Sequence, residues 1–207
     1  MLKDFTRKER YSMNIKKMIV EVGNRMYNTK LVAGTSGNIS VRNPEKEDSY
    51  FITPSSIPYD QITEDDIVEI NSKGEPYIKG LRPSSEWRLH VQIYEKYPKY
   101  NAIVHTHSTI ATAFAVNHED IPLILIEMKP YLGGPIKVTP FRPAGSPELG
   151  EVVVPYLENR NSCLLANHGT VSCGATLEDA FISAEYVEDA AKIYYYAKTS
   201  GTPVILE

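Results

Sequence analysis

A chain of 207 residues, 42% hydrophobic and 23% charged, has the length and apolar content for one globular domain with a full core, and no linker or low-complexity run divides it. Its formal net charge of -4 argues against nucleic acid or an anionic membrane as partner, so an anionic ligand must be held by a local site. The charged first ten residues lack a signal-peptide core and no apolar run reaches membrane-spanning length; Cys163 and Cys173 read as free buried thiols, and the expected compartment is the cytoplasm.

In chain order, Ile15, Met18, Ile19, Val22 and Met26 recur at helical spacing and predict an amphipathic helix over residues 6–28. A glycine-rich turn, Gly34-Thr35-Ser36-Gly37-Asn38, leads into a strand at Ile39-Ser40-Val41. Residues 50–53 and 67–70 read as two more strands, and Asn71-Ser72-Lys73-Gly74 as a hairpin turn into Pro76-Tyr77-Ile78. Pro83-Ser84-Ser85-Glu86 opens a helix through Tyr97, closed by Pro98. Residues 102–104 predict a short buried strand, followed by a helix over 108–115. Short strands at 123–126 and 136–138 precede a helix at 147–159. Residues 162–166 and 170–172 pair as strands around Asn167-His168-Gly169, and a long helix covers 176–199. Short strands in hairpins with peripheral helices predict an α/β fold: a single layered domain around a mixed, mostly antiparallel sheet. Strict βαβ alternation with a dinucleotide fingerprint is absent.

The most informative stretch is Ile103-Val104-His105-Thr106-His107. Residues i and i+2 of a strand share a face, so both imidazoles point one way, and neutral imidazole suits zinc. His168, beside a glycine at a tight turn, completes a three-histidine face of the open kind that catalytic zinc uses. Glu86, at a helix start, can cap that helix, or it can serve as fourth ligand and proton carrier. His90, one helical turn further on, is a rival ligand that the residues alone leave open.

Three turns carry hydroxyls and amides without cations: Gly34–Asn38, Thr53-Pro54-Ser55-Ser56, and Ser84-Ser85 at a helix N-terminus. The first has no Walker lysine, yet a Gly/Ser/Thr/Asn turn can aim several amides at one phosphate. Together they suit an acidic protein that holds a small phosphomonoester.

These pieces, in this order, resemble the class II aldolase/adducin family, most closely its L-fuculose-phosphate aldolase branch. The likeness runs over residues 14–199. It implies a layered α/β/α domain and makes His105, His107 and His168 zinc ligands, one ion per subunit, with Mn2+ or Co2+ as other occupants. It makes Glu86 the acid/base, also on the metal in the free enzyme. Gly37, Asn38, Ser55, Ser56, Ser84 and Ser85 match the positions that hold the substrate phosphate. The epimerase branch has Asp where this chain has Glu86, which favours an aldolase.

One position departs from the branch. Where the fuculose-phosphate aldolase carries a tyrosine from the neighbouring subunit, counting back from Gly133-Gly134 reaches Glu127; Tyr131 is the other side chain at hand. Dehydratases acting on methylthioribulose 1-phosphate carry a glutamate in similar context. The resemblance thus implies reversible cleavage of a ketose 1-phosphate to dihydroxyacetone phosphate and an aldehyde, in a homotetramer with active sites at subunit interfaces. Alternatives are a dehydratase or epimerase on the same metal platform, or a non-catalytic adducin-like binding module.

Overall fold

The computed structural model describes residues 7–207, with side chains from Ser12 onward; the expected helix start at residue 6 lies outside them. Seven strands form one sheet: β1 (Asn38–Arg42), β2 (Tyr50–Ile52), β3 (Val68–Ile70), β4 (Ala102–Thr106), β5 (Val138–Thr139), β6 (Ser162–Leu165) and β7 (Gly169–Gly174). Their order is β3-β2-β1-β4-β7-β6-β5, antiparallel throughout except for the parallel β5–β6 pair. The helices are α1 (Arg7–Asn28), α2 (Trp87–Lys96), α3 (Thr109–Val116), α4 (Met128–Leu132), α5 (Pro147–Val153) and α6 (Leu177–Ser200).

Alternation along the strands explains the layers. Ile39, Phe51, Ala102 and Val104 face α1 and α6, packing on Ile19, Met26, Phe181 and Ala184. The neighbouring positions Ile52, Ile103, Val171 and Cys173 face α2 and α5, against Leu89, Ile93, Leu149 and Val153. α3 and α4 extend the first face, where Phe114 and Met128 pack with Val187 and Ala191 of α6. Every residue of β4 is buried, as expected of a strand with helices over both faces. Both cysteines are free and buried.

Two helix ends are held by carboxylates. Thr176 and Asp179 close a reciprocal capping box at the start of α6. Further along α6, Glu188 accepts from the backbone N–H groups of Ile110 (3.0 Å) and Ala111 (2.9 Å), two donors of the first turn of α3 that have no partner inside their own helix.

Four elements differ from expectation. Residues 123–126 form no strand; Ile121 bridges Ile136 instead, and the chain turns into α4, which sequence patterning does not predict. Pro130 falls within the first turn of α4, where its missing N–H costs no helical bond, and Gly133 ends the helix at φ 81°. The expected 136–138 strand shifts to β5, at 138–139. The 147–159 helix stops being α-helical at Val153 and tightens into a 3-10 turn over Val154–Leu157, where Pro155 has no N–H for the α ladder. Beyond the Asn71–Gly74 turn the described residues form a bridge from Pro76 to Ile70 and no strand, with the Tyr77 N–H donating to the Glu69 carbonyl (2.9 Å), and Ile78 is exposed.

Candidate active site and metal centre

β4 carries His105 out of the middle of the sheet, paired to Asn38 of β1 and Val171 of β7. The chain leaves the sheet after Thr106, and the N–H of His107 donates to the carbonyl of Leu31 (3.1 Å). His168 sits in the tight β6–β7 turn, preceded by Asn167 at φ 55°. Close approach requires glycine at two points. A Cβ on Gly37 (φ 75°) would lie 2.5 Å from the His105 carbonyl oxygen, and one on Gly169 would lie 2.3 Å from that of Thr106.

The three imidazoles meet face to edge, with ring centroids 4.8 to 5.0 Å apart. Nδ1 of His105 faces the Thr170 carbonyl at 2.7 Å, which can only accept, so Nδ1 carries the hydrogen and Nε2 is turned to the cluster. There it lies 3.0 Å from His107 Nε2 and 3.1 Å from Glu86 Oε2, while His168 Nε2 lies 3.3 Å from Glu86 Oε1. A tetrahedral ion with ligands at about 2.0–2.1 Å has ligand-to-ligand edges of about 3.4 Å, close to this spacing. Glu86 Oε1 is buried with no hydrogen-bond partner among the described residues, the situation of an oxygen that a cation would satisfy. The residues therefore fit a divalent metal.

Charges in the cluster are strongly coupled. Burial opposes a charge on Glu86, but His105 and His168, with the Asn38 amide, overcome it and hold the carboxyl far below the usual carboxylate range. Burial and the neighbouring His105 charge lower His107 to about 3 and His168 to about 4. Burial also acts to lower His105, yet Glu86 outweighs it and raises the pKa above 6.5.

Glu86 is the residue just before α2, and its side chain makes no cap; it turns to the histidines. Asn38 Nδ2 donates to its Oε2 at 2.9 Å. His90, left open as a rival ligand, faces away: Nε2 meets Asn38 Oδ1, and Nδ1 lies 2.7 Å from Ser40 Oγ. The three-histidine group leaves it out. Ser40 Oγ is in turn 2.8 Å from the Tyr94 hydroxyl. Sequence reasoning missed Ser40 and Tyr94 as polar partners, although the signal was present. Asn38, Ser40 and Arg42 alternate along β1, and Glu86, His90 and Tyr94 recur every four residues into α2. The two repeats match in length, at about 6.6 Å for two strand residues and about 6.0 Å for four helical ones.

The hydroxyl and amide turns are stitched beside this cluster. Ile39 exchanges two bonds with Thr53, its N–H to Oγ1 (3.1 Å) and its carbonyl from the Thr53 N–H (3.0 Å). Ser84 N–H donates to the Thr53 carbonyl (3.0 Å), Ser55 Oγ donates to the Pro83 carbonyl (2.8 Å), and Ser84 Oγ accepts from the Glu86 N–H (3.3 Å). This places Gly37 and Asn38 against His105, and Ser55, Ser56, Ser84 and Ser85 on two adjoining turns leading to Glu86. Ser56 and Ser85 are exposed. Glu127 is exposed at the start of α4, with no hydrogen bond or ion pair to the cluster among the described residues. Tyr131, one turn on, stacks against Tyr186 of α6 at 4.3 Å between ring centroids.

Residues 17–195 match the class II aldolase and adducin N-terminal domain family. An L-fuculose phosphate aldolase of Escherichia coli O6:H1 is 38% identical over 191 residues, covering 91% of this chain and 87% of the relative. A 5-deoxy-D-ribulose 1-phosphate aldolase of Bacillus thuringiensis serovar kurstaki is 34% identical over 188 residues, covering 91% and 87%. A solved structure of an L-fuculose 1-phosphate aldolase superposes with a TM-score of 0.89 at 36% identity, over 94% of this chain and 91% of that one.

Proposed function

The chain belongs to the class II aldolase and adducin family, and we propose that it is a zinc-dependent aldolase that cleaves a ketose 1-phosphate reversibly to dihydroxyacetone phosphate and an aldehyde. L-fuculose 1-phosphate or a related deoxy-ketose 1-phosphate is the substrate, as the names of the relatives suggest. The observation that carries this reading is the Glu86 carboxylate, set 3.1 and 3.3 Å from two of three converging imidazoles, with its buried Oε1 accepting no hydrogen bond among the described residues.

A divalent ion on His105, His107 and His168 would supply Lewis acidity toward the ketone oxygen and its neighbouring hydroxyl. The chain's own residues do the rest. The turns at Gly37-Asn38, Ser55-Ser56 and Ser84-Ser85 hold the phosphate by amides and hydroxyls, converting remote binding into orientation of the bond that breaks. As that bond breaks, the electron pair returns to the carbon beside the ketone, and Glu86 hands this carbon its proton; in synthesis Glu86 removes it. The hydroxyl proton on the aldehyde side needs a second acceptor. We assign it to Glu127 of a neighbouring subunit in a homotetramer, in keeping with its exposure and the exposed Ile126 and Tyr131 beside it. The compartment proposed is the cytoplasm.

Glu127 also favours a second reading, in which the same platform dehydrates or cleaves a five-carbon deoxy- or methylthio-ketose phosphate. One relative is named a 5-methylthioribulose-1-phosphate/5-deoxyribulose-1-phosphate aldolase. A coupled assay for dihydroxyacetone phosphate across a panel of ketose 1-phosphates, with metal analysis, tests both. Cleavage yields dihydroxyacetone phosphate; dehydration and epimerisation do not. Glu86→Gln is expected to lower turnover by about 100-fold or more. A protein without a divalent metal, or a Glu86→Gln variant with full cleavage, overturns the proposal.

A further inference from the structure

Behind Glu86, away from the histidine cluster, lies a buried row of polar side chains. Asn38, Ser40 and His90 are at most 2% exposed, and Tyr94 is 1% exposed. None of the last three touches the cluster. Their hydrogen bonds have one self-consistent direction. Asn38 Oδ1 can only accept, so His90 Nε2 carries the hydrogen between them. With burial holding His90 neutral, Nδ1 is then an acceptor, and Ser40 Oγ–H donates to it at 2.7 Å. Ser40 Oγ in turn accepts from the Tyr94 hydroxyl at 2.8 Å. At the other end Asn38 Nδ2–H donates to Glu86 Oε2. The opposite orientation of the Asn38 amide would set its carbonyl oxygen against the carboxylate.

We infer that His90 is the positioning residue of Glu86. Through Asn38, the Tyr94–Ser40–His90 row fixes the carboxylate rotamer, occupies Oε2, and leaves Oε1 as the oxygen that carries the proton. The inference rests on the reading of Glu86 as proton carrier. Its chemistry is that of an outer partner orienting a reacting group: the hydrogen bonds choose between the two oxygens, and packing prevents the carboxylate from rotating.

The test uses the metal-loaded protein and its variants, each checked for metal content and for its far-UV spectrum. Two rates are read, cleavage of the ketose 1-phosphate and exchange of a carbon-bound hydrogen of dihydroxyacetone phosphate with heavy water. His90→Leu removes both ring nitrogens, and kcat and exchange should fall about 10- to 100-fold with KM within about threefold. His90→Gln, whose amide N–H can reach Asn38 Oδ1, should restore most of the loss. Ser40→Ala, the milder change, removes the donor to His90 Nδ1 and breaks the row at that point, and should lower kcat about tenfold. Nitrogen-15 spectra of the imidazoles supply a readout apart from activity: His90 should be the Nε2–H tautomer in the wild type, and in Ser40→Ala its Nδ1 signal should move as that nitrogen loses its hydrogen bond while Nε2 keeps the hydrogen. If the wild type exchanges hydrogen but folded His90→Leu or Ser40→Ala keeps kcat within twofold, or if His90 is the Nδ1–H tautomer in the wild type, the inference is overturned. If the wild type neither exchanges nor cleaves, it is the reading of Glu86 that fails.

Discussion

His90 is neutral because it is buried, and this makes it an acid-sensitive point apart from the metal ligands. Burial lowers its pKa from 6.5 to about 3, with His105 acting in the same direction and Glu86 opposing. Below pH 6.5 the unfolded chain takes up a proton at this residue that the folded chain refuses. Stability is therefore present above pH 6.5 and is lost as pH falls toward 3, by at most about 1.4 kcal/mol per unit from this one group. His107 and His168 contribute with the same sign in the metal-free protein. Glu86, a carboxyl held low, begins to matter only below its ordinary value of 4.5. Urea midpoints of the metal-free protein between pH 6.5 and 5 should fall, and His90→Gln should reduce that slope. An unchanged slope would mean that the folded chain protonates His90 as readily as the unfolded one. At this scale the sequence was readable where a residue's chemistry is rare and its spacing short: His-x-His, Asn-His-Gly, and Ser-Ser-Glu. It was silent on which way Asn38 and His90 turn, because that depends on two segments about fifty positions apart meeting with matched repeats.

The elements hold the site by joining chain ends. Glu188 of α6 accepts from two backbone N–H groups of α3, whose first residue, Thr109, follows His107 by two positions. Glu188→Ala leaves those donors without their carboxylate and should cost about 1–3 kcal/mol in urea unfolding. Because α3 begins next to a ligand, the variant should also bind metal more weakly in a competition titration; unaltered stability would show that water replaces the carboxylate at no cost. Patterning identified the long helices and the paired strands because each has a continuous period to display. It failed at α4 and at the 123–126 segment, where five helical residues with a proline among them and a glycine pair behind them have too few turns to show one.

At the scale of the molecule, the three histidines come from two strand ends and Glu86 from the edge of a helix, so an ion bound by all four ties together β4, the β6–β7 turn and α2. Such an ion binds the folded chain and not the unfolded one, and stabilises it by mass action, by about 4 kcal/mol at a free concentration a thousand times the dissociation constant. Loading the chelated protein with zinc should raise its thermal midpoint by several degrees, and His105→Ala should abolish that rise; an equal rise in the variant would place the ion elsewhere. The layered architecture was legible from sequence because strand alternation and helical periodicity both depend on burial alone. The pairing order of the strands, and the placing of Glu127 away from the cluster, follow from long-range packing that no local pattern carries.

The position of β4 has one further consequence. It lies fourth of seven in the sheet, with every side chain buried, and it delivers His105 to the cluster. The turns that carry Ser56 and Ser85 are open to solvent. On the proposed roles, metal binding is rooted at His105 in the central strand, while phosphate holding is divided between buried Asn38 and Ser84 and exposed Ser56 and Ser85. If those roles hold, the exposed serines can be rewritten for a new sugar phosphate while the metal ligands stay locked in the centre of the sheet.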